Sequence, residues 1–275
     1  MLVAILILFG SVAAGVGLIV LMRRLAGGDG YFRDAGGAAA AFGAVRGPVA
    51  VLLAFVIFLA FQGYTRASVA ARNEASAVLT ISRVSALFPP TTADDIQVDL
   101  VCYARAIVED EWPAMQRGSE SEVIDHWIFE SEQAIGRLEV RTPTEEEALA
   151  EFFTEMNSRE ESRDDRLAEA DGVVPTPVWI VLVLGGVMVV AYVAFFADPR
   201  ERLLAQSIMV GTTIAVITSG LLLVAFFDHP YADRPGAIEP SAMAATLSHI
   251  ELDRQAEPFA TEPPCDSDGR PSAND

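Results

Sequence analysis

The sequence contains no lysine, only three histidines and only two cysteines. Its 19 basic residues are therefore all arginines, and they stand against 38 acidic residues, for a formal net charge of −19. Nucleic-acid binding needs clustered cations that neutralise phosphates, and docking onto anionic lipid head groups needs them too. The composition argues against nucleic acid and against an anionic lipid surface as partners.

The motifs of common enzymes are also missing. There is no HExxH, no GxSxG, no phosphate-binding glycine loop and no paired-cysteine motif. His126 lies between Asp125 and Trp127 in a helical pattern, where a structural role is far more common than a catalytic one. We therefore expect a protein that is not an enzyme, with no catalytic residue, no metal and no cofactor.

The two cysteines, Cys102 and Cys265, lie 163 positions apart. The first falls in a helical pattern and the second in a tail rich in proline and aspartate. A disulfide between them is one alternative, but nothing in their surroundings indicates a small domain held together by disulfides. Two free thiols are the expectation that this pattern favours.

Long apolar runs are abundant, and four of them can cross a bilayer. Arg23 and Arg24 follow the first run instead of preceding it, which favours a retained span over a signal peptide. The spans are predicted at Leu2–Met22, Pro48–Tyr64, Trp179–Phe196 and Ser207–Phe227. We predict an all-α membrane protein with four transmembrane helices, two plus two, and a helical soluble insert between the second and third spans.

The predicted domains are residues 1–64, with two spans and an Arg/Gly-rich loop, an acidic helical insert at 65–175, two further spans at 176–227, and an acidic tail at 228–275. The insert holds 10 arginines and 24 acidic residues. Within the tail we predict a helix from Ser241 to about Arg254, and disorder over Ala256–Asp275 because of its proline, aspartate and serine content.

The second span continues into the insert without a break. From Pro48, a favourable first-turn residue, to Phe88, no Gly-Pro break interrupts the pattern, and only Pro89 and Pro90 stop it. This predicts one helix of roughly 40 residues, about 60 Å long.

Three capping-box spacings predict helix starts in the insert, at Thr92/Asp95, Ser119/Glu122 and Thr144/Glu147. The first of these helices is expected to end at Pro113. The last ends in SREESRDDRLAEADG, whose opposite charges three and four positions apart predict a solvated helix.

One face of the second span carries Val51, Phe55, Phe58 and Gln62 at steps of three and four. Gln62 is the only strongly polar side chain in that apolar stretch, so we expect it to face protein or water. Two interpretations remain open: this face packs against another helix, or it forms a hydrophobic constriction in a pore.

The acidic triplet Glu109, Asp110 and Glu111 precedes Trp112. Carboxylates at a helix C-terminus oppose the helix dipole unless cations compensate them. Either the triplet is a solvated helix end next to Arg105 or Arg117, or it forms, together with Asp228, a candidate cation or inter-subunit arginine site.

The distribution of arginines bears on membrane orientation. The two short loops carry six of them, whereas five near the spans lie on the insert side. The count leans towards an insert outside the cell. The six are Arg23, Arg24, Arg33, Arg46, Arg200 and Arg202; the five are Arg66, Arg72, Arg159, Arg163 and Arg166.

Four blocks carry a family resemblance: EASAVLTISRV at 74–84, YARAIVEDEWPAM at 103–115, DDRLAEADGVVPTPVW at 164–179 and FFDHPY at 226–231. Together with the spacing of the spans, they resemble the bacterial bestrophin-like family of membrane proteins over about 1–250. The residues that match its motifs are Glu74, Tyr103, Glu111, Trp112, Pro113, Arg166 and Pro230.

This family is named for its likeness to bestrophins, which are homopentameric anion channels with a cytosolic insert and a pore lined by the second span. The resemblance implies that Val51, Phe55, Phe58 and Gln62 face a pore. It also aligns Asp228, Pro230 and Tyr231 with the start of an acidic calcium clasp. The sequence departs from the clasp, because only scattered acids follow, and a strongly acidic insert is expected to repel anions.

Two hypotheses follow. The first is a homo-oligomeric ion channel, with the lipid bilayer, further copies of the chain and ions as partners, in the bacterial plasma membrane. The second is a non-conducting membrane scaffold or sensor whose acidic insert binds a partner protein.

Overall fold

The structure, a computed structural model, describes residues 2–25, 35–170, 172–196, 201–256 and 260–272. The described residues form helices and no strand, apart from one isolated bridge between Cys265 and Pro271. The helices are α1 (Leu2–Leu25), α2 (Ala35–Ser85), α3 (Pro90–Ala106), a π-helical segment called here the π-turn (Ile107–Glu111), α4 (Trp112–Gln116), α5 (Val123–Gly136), α6 (Pro143–Ala168), α7 (Thr176–Phe195), α8 (Leu203–Asp228) and α9 (Ser241–Gln255).

Among the described residues, four helices are long and apolar enough to cross a membrane. They contain the four predicted spans, except that Phe196 lies one residue beyond the third of these helices. They are α1, the Ala39–Ser85 part of α2, α7 and α8. The predicted class, an all-α membrane protein with a helical insert between its second and third spans, is confirmed.

The chain divides into two compact units. The membrane unit comprises Met1–Gly63 and Gly172–His229, and the insert unit comprises Tyr64–Asp171 and Pro230–Asp275. The tail therefore belongs to the same unit as the insert, and α2 contributes residues to both units.

Within the membrane unit, α1 packs against α7 and α8, and α7 packs against α8. The side chain of Ile214 on α8 fills the space beside Gly15 of α1, since a Cβ atom at Gly15 would overlap its Cδ1 atom. A second apolar cluster joins Val56 of α2 to Leu182 and Val224. Small residues allow the close approach that van der Waals packing between membrane helices requires.

The second span begins earlier than predicted. Helix α2 starts at Ala35, so Pro48 lies inside the helix and not at its first turn. A proline removes one backbone hydrogen bond, which membrane helices tolerate when local adjustments satisfy the freed groups. At the other end α2 stops at Ser85, three residues before the predicted end at Phe88.

The core of the insert unit surrounds α3, which packs against α5 and α9. Three of its large apolar members, Trp127, Phe152 and Ile250, are 2% exposed or less. Burial of large apolar side chains is the main favourable term in folding, at roughly 25 cal/mol per Å². The insert unit therefore has a hydrophobic core of its own.

The predicted helix starts in the insert are displaced. Helix α3 begins at Pro90 after Pro89, and α5 begins after Glu122 without a side-chain cap. The capping box of α6 is formed by Thr142 and Glu145, two residues before the predicted pair. Helices α3 and α6 therefore begin earlier than the predicted spacings suggested, each with a proline in its first turn, whereas α5 begins later.

The expectation of free cysteines is wrong, because Cys102 and Cys265 form a disulfide. The expectation of disorder is also wrong for residues 260–272, while 257–259 and 273–275 lie outside the described residues. The Trp127 indole donates to the Gly269 carbonyl at 2.6 Å. Gly269 has φ +76° and lies so close to α3 that a Cβ atom would fall 2.3 Å from the Ala106 nitrogen. These contacts order a segment whose composition alone is typical of disorder.

The core of the insert unit also contains an acid, Asp99, which is 6% exposed. Burial, together with the neighbouring carboxylates of Glu130 and Asp95, raises the pKa of Asp99 to about 7, although a hydrogen bond from Ser131 opposes the shift. This folded-state pKa lies above the ordinary value, so ionising Asp99 destabilises the fold. The cost is absent below about pH 4, grows as the pH rises towards 7 and is complete above 7.

Replacing Asp99 by Asn should remove this cost. We expect D99N to be more stable than the wild type at pH 8 by roughly 2–4 kcal/mol, and this advantage to shrink steadily as the pH falls to 4. Thermal unfolding of the purified protein between pH 4 and 8 measures it, with D165N at an exposed aspartate as the control. A difference between D99N and wild type that does not change with pH would contradict the assignment.

Candidate functional site

The predicted pore face of α2 is uncovered within the described part of the chain. Val51 is 71% exposed, Phe55 56% and Phe58 54%, and Gln62 is exposed as well. The opposite side of the same helix is packed, since Val56 is only 3% exposed. The four residues therefore do not pack against another described helix of the same chain.

The same helix carries almost no negative charge. Its only acidic residue is Glu74, which is 1% exposed, whereas Arg72 and Arg83 are exposed. The acidic character of the insert therefore does not come from exposed residues of α2.

Glu74 belongs to a buried ion-pair network in the insert unit. The Nε atom of Arg166 donates to Oε2 of Glu74 at 2.6 Å, and its Nη2 atom donates to Oε1 at 3.1 Å. Arg166 also pairs with Glu111, and the hydroxyl of Tyr103 donates to Oε1 of Glu74 at 2.6 Å. None of these four side chains is more than 2% exposed.

A second layer of cations surrounds this network. Arg163 donates to Oε1 of Glu111 at 2.6 and 3.0 Å. The guanidinium of Arg166 lies 5.4 Å from the ring centre of Trp112, and that of Arg159 lies 5.4 Å from the ring centre of Tyr103. Two carboxylates thus face two arginines directly, and aromatic rings cover the guanidinium groups.

The π-turn places Glu111 in this network. The expected helix end at Pro113 does not occur, because the chain passes through the π-turn into α4, where Pro113 occupies the first turn. A π-turn inserts one extra residue per turn and so rotates the side chains that follow it. Glu111 is fully buried, whereas Glu109 remains exposed.

The opposite charges of the network stabilise one another in their ionised forms. Burial by itself would lower the pKa of Arg166, but the carboxylates of Glu74 and Glu111 outweigh it and raise the pKa above its ordinary value. Burial and the neighbouring Glu74 carboxylate raise the pKa of Tyr103. Arg166 therefore stays charged and Tyr103 stays protonated at any physiological pH.

Two expectations about these residues are wrong. Arg105 does not compensate the acidic triplet, because it pairs with Glu251. Hydrogen bonds from Ser121 and Arg270 lower the pKa of Asp110, and the positive charge of Arg117 lowers it to a smaller extent. Glu111 pairs with Arg163 and Arg166, and Asp110 pairs with Arg270 at 2.6 Å. The end of α6 is not solvated throughout, since Arg159, Ser162 and Arg166 are buried.

Asp228 has a structural role within the membrane unit. It is 2% exposed, and it accepts hydrogen bonds from the Val174 backbone at 2.7 Å and from the Trp179 indole at 3.0 Å. These bonds tie the end of α8 to the segment that enters α7. Its carboxylate oxygens are therefore already occupied by protein donors.

The other motif residues after the last span also contact protein. In the insert unit, the carbonyl of Pro230 accepts from the Ile238 backbone at 2.8 Å, and the hydroxyl of Tyr231 donates to the Ala67 carbonyl at 3.0 Å. Across the described residues, no group of three or more His, Cys, Asp or Glu side chains is placed to hold a metal ion.

The family resemblance names Arg166 as a motif residue, whereas Arg159 and Arg163 are not among the predicted site residues. Arg159, Arg163 and Arg166 lie three and four positions apart, so they share one face of α6. That spacing, together with a single acid on α2, is the only local signal of the network. The partner of each arginine is set by tertiary contacts.

A family model described as the Bestrophin-like domain matches residues 9–243. Among solved structures, a bacterial bestrophin homologue from Klebsiella pneumoniae carrying a point mutation is similar, with a TM-score of 0.68, 12% identity, and coverage of 89% of this chain and 97% of that chain. A second structure, a membrane protein carrying a proline-to-alanine mutation, has a TM-score of 0.70, 12% identity, and coverage of 91% and 99%. No curated protein matches. At this identity the two structures show a shared fold.

Removing the charge of Glu111 should be far more damaging than removing that of Glu109, two residues away. E111Q leaves Arg166 and Arg163 without one of their buried counter-charges, which typically costs about 3–5 kcal/mol. E109Q changes an exposed side chain and should alter stability by about 0.5 kcal/mol or less. Thermal unfolding of both variants in detergent measures the difference, and equal melting temperatures would contradict a structural role for the network.

Proposed function

The chain belongs to the bestrophin-like family, and from that premise we propose that it is a homo-oligomeric ion channel in which α2 of each copy faces a central axis. The observation that carries this proposal is the uncovered face of α2 formed by Val51, Phe55, Phe58 and Gln62. These four residues are exposed in the single chain. In an assembly around a central axis, they would face that axis.

In such an assembly the four residues form stacked rings. Valine and phenylalanine rings make a narrow apolar constriction, which can gate ion flow by excluding water. Gln62 adds a polar ring at the end of this constriction, where an uncharged amide can contact a hydrated ion. The side chains would then act through pore width and wetting, without binding an ion tightly.

The charges on α2 favour anions over cations. The exposed charged residues Arg72 and Arg83 are positive, and the single acid Glu74 is buried against Arg166. Rings of arginine raise the local concentration of anions. The net acidity of the insert, which first suggested anion repulsion, resides on other helices and on the tail.

A non-conducting scaffold or sensor is the second candidate. It is supported by the insert's 24 acidic residues against 10 arginines, which would suit a basic partner protein. A scaffold conducts no ions and needs no face directed at a central axis. It therefore predicts that substitutions on α2 have no effect on ion flux.

The first test is oligomeric state followed by conductance. We expect a homo-oligomer in mild detergent, and we expect F55A and Q62A to change single-channel conductance in planar bilayers because they alter the constriction. F9A is the matched control, since Phe9 on α1 is 69% exposed and lies outside the proposed face. A clear monomer, or F55A currents identical to wild type, would overturn the channel assignment. The reversal potential under a salt gradient identifies the ion class.

We further propose that the insert unit lies outside the cytoplasm. The Cys102–Cys265 disulfide supports this orientation because disulfides persist in oxidising compartments and are rare in the cytosol. The excess of arginines on the two short loops supports it independently. This orientation is opposite to the cytosolic insert that the resemblance to bestrophins implies.

Cysteine labelling in whole cells tests the orientation. In a variant with both native cysteines replaced by serine, E161C on α6 should react with a membrane-impermeant maleimide in intact cells. E201C, in the loop before α8, should react only after lysis, because the topology places it on the opposite side. Both residues are exposed. The reverse labelling pattern would place the insert in the cytosol.

A further inference from the structure

A cleft of about 250 Å³ lies between α5 and α6 in the insert unit. Two arginines, four carboxylates and two apolar side chains line it. Its volume is below the roughly 300–1,000 Å³ typical of sites for drug-sized ligands, so it suits a smaller molecule. The cleft shares Arg159 and Arg163 with the surroundings of the Glu74–Arg166–Glu111 network, but its acidic and apolar lining residues are not part of that network.

Arg159, one of the two arginines that line the cleft, has no ion-pair partner among the described residues. It is 3% exposed, and its one hydrogen bond within the described chain runs from Nη1 to the Tyr103 hydroxyl at 3.4 Å. Its Nε atom is buried with no hydrogen-bond partner, and no carboxylate of a described residue lies within ion-pair distance. Its neighbours Arg163 and Arg166 both have carboxylate partners. A buried guanidinium without a counter-charge and with an unpaired Nε atom is costly, which points to a ligand that supplies a negative charge.

The mouth of the cleft has the opposite charge. Glu132, Glu160 and Asp164 are exposed, and none of them forms a salt bridge with a described residue. These carboxylates would repel a simple anion on its way to Arg159. A metal ion alone would not satisfy Arg159, and the described acids form no metal-binding group.

A ligand with both charges satisfies both parts of the cleft. We propose that it binds a small zwitterion of the amino-acid class, whose carboxylate pairs with Arg159 and whose ammonium group contacts the carboxylates of Glu160 and Asp164. Ile128 and Phe129, the two apolar lining residues, contact the ligand's side chain. The cleft lies within one chain, so this site does not depend on ion conduction.

Thermal-shift and calorimetric titrations of the full-length protein in detergent test the proposal. The probes are L-leucine and, in parallel, the other proteinogenic amino acids. They are compared with two leucine analogues that each lack one charge: 3-methylbutylamine has no carboxylate, and 4-methylpentanoate has no ammonium group. We expect at least one amino acid to bind saturably and to raise the melting temperature, and both single-charge analogues to bind at least about tenfold more weakly. If no amino acid binds, or if 4-methylpentanoate binds as tightly as leucine, the zwitterion site is refuted.

Variants separate binding from folding. R159Q should abolish binding. Because Arg159 also covers the ring of Tyr103, the melting temperature of R159Q without ligand must be measured first to check that the variant folds. The double variant E160Q/D164N changes only exposed side chains, so it should fold normally. It should weaken amino-acid binding about tenfold and reduce the difference in affinity between leucine and 4-methylpentanoate. E161Q, at an exposed α6 residue outside the cleft lining, should bind like wild type. Wild-type affinity in E160Q/D164N would overturn the role of the mouth, whatever the conductance experiments show.

Discussion

The buried pairing of Glu74 and Glu111 with Arg166 is the interaction on which the insert unit depends. Charges removed from water are destabilising unless their partners are well placed, and replacing both partners by apolar groups is often neutral or favourable. A network of this kind therefore specifies geometry more than it adds stability. Here it fixes the rotation of α2 about its own axis relative to α6 and the π-turn, because only one orientation of α2 directs Glu74 to Arg166.

That rotation has a consequence along the same helix. Successive residues of an α-helix turn by a fixed angle, so the orientation of Glu74 sets the orientation of the other side chains of α2 within the insert unit. The helix buries its one carboxylate and leaves its other charged residues, all arginines, outside this network. The network therefore constrains the angular position of the part of α2 that lies in the insert unit.

The sequence could predict those features that depend on local pattern. Span length and apolar content determine where helices cross a bilayer, and periodicity was enough to place Val51, Phe55, Phe58 and Gln62 on one face. The partners of Glu111 could not be predicted, because they lie 52 and 55 positions away and because the π-turn changes the helical phase just before Glu111. Pairing of Cys102 with Cys265 and order in residues 260–272 likewise arise from contacts with α3 and α5, which composition does not encode.

The disulfide has a further consequence for how the chain threads the membrane. Cys102 and Cys265 enclose a loop with 163 positions between its ends, and α7 and α8 both lie within it. A covalent bond can join the two sulfur atoms only if the chain crosses the bilayer an even number of times between them. The second cysteine is also the last part of this loop to be synthesised, so the bond can close only after both helices have been made. The crosslink thus excludes every arrangement in which one of the two helices fails to insert.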